Sequence, residues 1–174
     1  MTTPRSFPLV TLLALVLPAV TAAQDALPRL RVADPRLRRI IDRAEARSPT
    51  LRALIAEIER SDVIVHVQVE RVVSDADGVL RFATAAALAR FLRISIRPGV
   101  PRRALAPLVA HELAHAVEIA RHASVRDQRT MRALYERIGH RRGVVPVQFD
   151  TSYAVDAGRL VARELSQPGV FADH

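Results

Sequence analysis

The segment from Leu105 to Ile119 constrains the fold of this chain most, because it has the residue pattern of a buried helix. Its apolar residues recur at helical spacing, and they are Leu105, Leu108, Val109, Leu113, Ala114, Val117 and Ile119. Residues 111–115 read His-Glu-Leu-Ala-His. Residues four apart on a helix lie one above the other, about 6 Å apart, so His111 and His115 can bind one metal ion from the same face. The segment therefore predicts a buried helix that carries a zinc site.

Glu112 points roughly a quarter turn around this helix from the two histidines. A carboxylate at that offset avoids the metal, yet it reaches a water on the metal and can deprotonate it as a general base. We therefore predict Glu112 as the catalytic residue, His111 and His115 as metal ligands, and Zn²⁺ as the cofactor.

The composition limits the ligands and the partners of the chain. Cysteine is absent, so only His, Asp and Glu remain as metal ligands. All 26 basic residues are arginine and the formal net charge is +8. The arginines are scattered, and aromatic residues make up 4% of the chain, so the stacking platforms that bind bases are missing. We expect no nucleic-acid partner.

Residues 1–23 have the layout of a secretory signal peptide. Arg5 precedes an apolar run from Phe7 to Val20, and small residues follow it up to Ala23. The run is interrupted by Pro18 and is shorter than the about 20 apolar residues of a membrane-spanning helix. We therefore expect an exported protein, periplasmic or extracellular, with a single domain over residues 24–174 and no stable membrane span after cleavage. The first residues of that domain, 24–33, read as a short tail or a propeptide.

The first half of the domain predicts two helices and then strands. Asp34-Pro35 and Ser48-Pro49 are typical helix starts, and the second helix should run from Pro49 to Glu59. Residues 63–69 alternate with period two, as in a strand. After a turn at residues 75–78, the stretch 79–84 should pair antiparallel with that strand, and residues 91–97 supply a third strand.

The second half predicts three helices. The helix with the motif should begin between Arg103 and Pro107, because proline is tolerated in a first turn. Ser124 and Asp127 have the spacing of a capping box that begins the next helix, and a last helix follows Asp150. The chain thus predicts an α+β domain with two N-terminal helices, an antiparallel-rich sheet of about three strands, the motif helix and two C-terminal helices.

A strand, a helix with His-Glu-x-x-His and then further helices resembles the core of the zincin metallopeptidases, in particular gluzincin-like members. The resemblance implies a zinc hydrolase that cleaves peptide or protein substrates. It also implies that the strand at Phe91 to Arg97 borders the cleft and pairs with an extended peptide. Residues 116–120 contain no glycine, so the metzincin pattern does not continue, and Met131 reads as a core residue.

The third zinc ligand is open between two acids. Gluzincin-like proteins take an acid from a later helix, and Asp150 is the matching position here, although an N-cap aspartate is an equal interpretation. Glu118 is the alternative, but it lies about 10.5 Å along the helix axis from His111. It can equally serve to orient His115. Outside candidates are Glu136, His122, His140 and Glu164, and the available donors for an oxyanion are Tyr153, His140 and Tyr135.

A zinc-binding envelope protein without catalytic activity is the alternative function. The presence of Glu112 favours the hydrolase, because a purely structural zinc usually has four protein ligands and would leave this glutamate without a role.

Overall fold

The computed structural model describes residues 27–72, 75–142 and 148–167. The expected signal peptide at residues 1–23 lies outside these ranges. Within them, no helix combines the length and the apolar character that crossing a membrane requires.

Two capped helices open the fold, as the sequence predicts. Asp34 caps the first by accepting hydrogen bonds from the backbone N–H groups of Arg36 and Leu37. Ser48 ends this helix and caps the next, with its hydroxyl oxygen 3.0 Å from the Leu51 backbone nitrogen. The helices are α1 (Pro35–Arg47) and α2 (Pro49–Glu59).

A mixed four-stranded sheet follows. Its strands are β1 (Leu30–Val32), β2 (Val63–Val69), β3 (Gly78–Ala85) and β4 (Arg90–Ile96), in the order β1-β2-β4-β3. The pairs β1–β2 and β2–β4 are parallel, and β3 is antiparallel to β4. Since residues 30–32 form a strand of this sheet, that part of the 24–33 segment belongs to the folded domain.

The predicted pairing of the sheet is wrong. β3 does not pair with β2; it forms a hairpin with β4, and β2 lies parallel to β4. Alternation of apolar and polar residues shows which face of a strand is buried, but it is the same in parallel and antiparallel pairs. The sheet is therefore mixed and four-stranded rather than antiparallel-rich with three strands.

The helical second half agrees with the prediction except at its boundaries. The motif helix begins at Arg102, one residue early, and Pro107 lies in its second turn. The next helix is capped by Asp127 together with Thr130, so the expected cap at Ser124 is wrong. A short hairpin, absent from the prediction, precedes the last helix. The elements are α3 (Arg102–Arg121), α4 (Gln128–Ile138), β5 (His140–Arg142), β6 (Gln148–Asp150) and α5 (Ser152–Ser166).

α3 lies at the centre of the molecule, packed against α5, α2 and β3. Its residues Val109, Leu113 and Val117 are inaccessible to solvent and belong to a single apolar core. Helices and sheet thus surround the residues of the motif.

The C-terminal end of α3 is fixed to the sheet by Arg90, which is 1% exposed. Its guanidinium donates two hydrogen bonds to the Asp62 carboxylate, at 2.5 and 2.9 Å. It also donates to the backbone carbonyls of Ile119, Ala120, His122 and Val125, at 2.8–3.2 Å. These carbonyls lie in and just beyond the last turn, where an intrahelical partner is missing.

Candidate metal centre

Three predicted ligands come together beside α3. His111 and His115 lie on one face of the helix with their ring centroids 5.0 Å apart. Asp150, the last residue of β6, faces both rings. Its Oδ1 atom lies 3.4 Å from Nε2 of His111 and 3.8 Å from Nε2 of His115.

The three residues fit a metal ion. One ligand atom from each lies within 4.8 Å of the other two. Ligands about 2.1 Å from an ion at tetrahedral angles are about 3.4 Å apart. The contacts of Asp150 with the two histidines, at 3.4 and 3.8 Å, are close to this value. Two imidazoles and a carboxylate suit zinc and also other divalent transition metals.

Asp150 is free for this role because another residue caps α5. The hydroxyl of Thr151 accepts the hydrogen bond from the Ala154 backbone N–H, at 3.1 Å, so the N-cap interpretation of Asp150 is wrong. Oδ1 of Asp150 accepts from the Thr151 backbone N–H at 2.9 Å, and Oδ2 accepts from Arg142 at 2.7 Å. Burial alone would raise the pKa of Asp150, but the Arg142 hydrogen bond and the nearby histidines hold it below the usual value. The carboxylate is therefore ionised at neutral pH.

Glu118 contacts the other side of His115. Its Oε2 lies 2.9 Å from Nδ1 of His115, and it is not part of the three-residue group. Because a carboxylate accepts, Nδ1 carries the proton in the neutral ring, and the lone pair is then on Nε2, the nitrogen that faces Asp150. The geometry matches the orienting role that the sequence left open for Glu118.

The pKa values of the two histidines are shifted in opposite directions. Burial lowers the pKa of His111, and the neighbouring His115 lowers it further. Burial would also lower the pKa of His115, but the Glu118 hydrogen bond and the charge of Glu112 raise it instead.

Glu112 lies beside the group, between α3 and the start of β3. It is 5% exposed, and this burial raises its pKa to about 7, although the charge of His115 and a hydrogen bond from the Leu80 backbone N–H oppose the shift. Gly78 makes room for it, since a Cβ atom there would lie 3.2 Å from Oε1 of Glu112. The carboxyl group is thus held close to the histidines, and its pKa lies near neutral pH.

β3 is the strand next to the candidate metal centre. The expectation that the strand at residues 91–97 borders the cleft and pairs with a peptide is therefore wrong. β4 is paired on both sides, whereas β3 lies at an edge of the sheet and contacts α3. The Phe82 backbone N–H on that edge donates to the Gln128 side chain, at 3.3 Å.

The three oxyanion candidates have different surroundings. The Tyr135 hydroxyl donates to the backbone carbonyl of His115 at 3.0 Å, and the Tyr135 ring meets the His115 ring edge to face. Tyr153 lies under the guanidinium of Arg121. His140 is exposed and stands opposite Asp150 in the β5–β6 register, so their side chains share one face of the hairpin.

The outside ligand candidates have other partners. Glu164 accepts hydrogen bonds from Ser48 and Thr50, Glu136 pairs with Arg132, and His122 contacts the Glu118 backbone carbonyl.

Sequence reasoning missed Gly158 and Arg142. Gly158 lets α5 approach α3 closely, since a Cβ atom there would lie 3.1 Å from the Pro107 carbonyl and 3.4 Å from Cβ of His111. A glycine inside a helical pattern is the signal that could have indicated this contact. Arg142 is one arginine among many, and its type alone does not distinguish it.

A separate groove of about 460 Å³ lies between α1 and the start of α3, where Arg36, Arg102 and Leu105 contribute to its walls. Its lining residues do not include His111, His115 or Asp150, which together form the metal group.

Comparisons with protein-family models, with curated proteins and with solved structures give no match to this chain.

Proposed function

We propose that this protein is a zinc-dependent hydrolase, in particular a zincin-type peptidase, with His111, His115 and Asp150 as metal ligands. The observation that carries the proposal is the convergence of Asp150 on the two motif histidines, with Glu112 buried next to them. Asp150 lies 35 positions after His115 in the sequence, and the two residues are neighbours in the fold.

A bound zinc ion would lower the pKa of a coordinated water toward neutrality and polarise a substrate carbonyl. Glu112 would accept the proton of that water at its carboxylate and later donate it to the leaving amine. A carboxyl group with a pKa of about 7 in the metal-free protein holds a proton well enough for the second step. A nearby dication would lower that pKa and favour the ionised form that the first step needs.

The side chain of Asp150 is shorter than that of the glutamate usual in gluzincins. The packing of α5 accounts for how it can still reach the metal position. Gly158 allows α5 to lie close to α3 at His111, and Asp150 comes just before α5. Glu118 would orient His115 through Nδ1, the arrangement that fixes ring direction in many zinc sites.

We further propose peptides or proteins as substrates and export directed by residues 1–23. The support for a peptide substrate is the resemblance of the motif together with an edge strand, β3, next to Glu112.

The test compares zinc content and peptide hydrolysis in the wild type, Glu112→Gln and Glu136→Gln. Glu136 is an exposed glutamate on α4 and serves as the matched control. We expect Glu112→Gln to keep zinc but to lose hydrolysis by about 10²–10⁴-fold, the contribution of a general base. The control should behave as the wild type. Unchanged hydrolysis in Glu112→Gln would contradict the mechanism, and zinc binding without hydrolysis in the wild type would favour the non-catalytic zinc-binding protein.

A further inference from the structure

The two oxygens of the Asp150 carboxylate have different surroundings. Oδ1 is directed toward the Nε2 atoms of His111 and His115. Oδ2 accepts a hydrogen bond from Nη1 of Arg142 at 2.7 Å. The carboxylate side chain is 3% exposed, whereas Arg142 is 67% exposed. One oxygen therefore faces the metal group and the other faces an arginine at the surface.

The β5–β6 hairpin places Arg142 at this oxygen. His140 stands opposite Asp150, and Arg142 stands opposite Gln148. Side chains two residues apart on a strand lie on the same face, so Arg142 is the diagonal neighbour of Asp150. Arg141 pairs with Phe149 and belongs to the opposite face.

We propose that Arg142 is a positioning residue that holds Oδ2 of Asp150, so that Oδ1 alone is presented to the metal ion. The inference rests on the proposed metal site. A hydrogen bond between two charged groups is about twice as strong as a neutral one, and the exposed guanidinium stays hydrated while it makes this bond. The Thr151 backbone N–H, bound to Oδ1, restrains the rotation of the carboxylate as well.

Ligation through one oxygen has a chemical consequence. Three protein ligand atoms leave one position of a tetrahedral ion open, which is the feature that separates catalytic zinc sites from structural ones. An aspartate that turned both oxygens to the ion would add the second oxygen as a fifth ligand beside the water and crowd this position. Arg142 would thus keep a place for water without touching the ion.

The test uses Co²⁺ as a spectroscopic probe in the full-length protein, with three variants. Arg142→Met removes the guanidinium, Arg142→Lys keeps a positive charge on a long stem, and Arg141→Met is the matched control from the opposite face of β5. Four-coordinate Co²⁺ absorbs visible light strongly, and the absorption weakens when a fifth ligand binds. The far-ultraviolet circular dichroism of each variant checks that it is folded.

We expect Arg142→Met either to weaken the visible absorption of bound Co²⁺ or to lose the ion, while Arg142→Lys and Arg141→Met resemble the wild type. An unchanged spectrum in Arg142→Met would overturn the proposal, and so would an equal change in Arg141→Met. If the wild type binds neither Co²⁺ nor Zn²⁺, the proposed function fails as well, and this result is distinct from a failure of Arg142 alone.

Discussion

Two buried polar clusters lie along α3, and they differ in how their charges are satisfied. At the end of the helix, Arg90 makes six hydrogen bonds of 2.5–3.2 Å to Asp62 and to backbone carbonyls. In the middle of the helix, the contacts from Asp150 to the Nε2 atoms of His111 and His115 are 3.4 and 3.8 Å. The first set of distances is that of good hydrogen bonds, and the second exceeds it.

The difference separates a structural cluster from a candidate site. The Arg90 cluster needs no further partner, because the guanidinium and the carbonyls satisfy each other. In the metal group of His111, His115 and Asp150, Glu118 contacts Nδ1 of His115 and Arg142 contacts Oδ2 of Asp150. The ligand atoms that face one another within the group lie at distances that suit a shared ion. Substitutions should therefore change stability in the first cluster and metal binding in the second.

Arg90→Met should have the largest effect on stability. It leaves the Asp62 carboxylate and several buried carbonyls without their donor, and we expect the free energy of unfolding to fall by about 3 kcal/mol. Urea denaturation measures this loss. The control is Arg93→Met, an exposed arginine on the same strand. A change below about 1 kcal/mol would show that Arg90 does not hold the end of α3.

Glu112→Gln should change the pH dependence of stability in the metal-free protein. The folded-state pKa of Glu112 is raised from 4.5 to about 7, so the folded protein binds this proton more tightly than the unfolded chain. The resulting stability is complete below pH 4.5 and is lost as the pH rises to 7. At about 1.4 kcal/mol per pKa unit, the wild type should lose about 3 kcal/mol relative to Glu112→Gln across this window. Unfolding curves measured from pH 4 to pH 8 in chelator test it, and parallel curves for the two proteins would contradict it.

Asp150→Asn should have the smallest effect on stability in the metal-free protein. The amide keeps the shape of the side chain and an oxygen for the Thr151 backbone N–H, and the Arg142 guanidinium is well hydrated. We expect the free energy of unfolding to change by less than about 1 kcal/mol. Zinc binding should be lost, because a charged ligand is removed. Asp150 would instead belong with Arg90 as a structural residue if the substitution destabilised the protein by several kcal/mol and left zinc bound.

Local patterns of the sequence were sufficient for the helices. Asp34-Pro35 and Ser48-Pro49 begin α1 and α2, and the predicted range 49–59 is that of α2. The spacing of His111 and His115 needs nothing beyond one helix, so their approach could be predicted. The same holds for Glu118, since i and i+3 residues are neighbours on a helix.

Contacts between distant segments could not be derived in this way. The pairing of β2 with β4 depends on tertiary packing, and three-residue strands such as β1, β5 and β6 are too short for a periodic pattern. Arg142 holds Asp150 only because this hairpin exists. The choice of Asp150 as the third ligand depended on a family resemblance, and no local pattern supported it.

The central claim is that His111, His115 and Asp150 bind one zinc ion, and the most direct test is zinc content per chain. It should be measured in the wild type, His115→Ala, Asp150→Ala and Glu118→Ala, purified without chelator and equilibrated with a slight excess of zinc. We predict about one zinc in the wild type, loss of zinc in His115→Ala and Asp150→Ala, and retention in Glu118→Ala with affinity about 10–100-fold weaker. Absence of zinc from the wild type would contradict the claim, and so would its loss from Glu118→Ala together with its retention in Asp150→Ala.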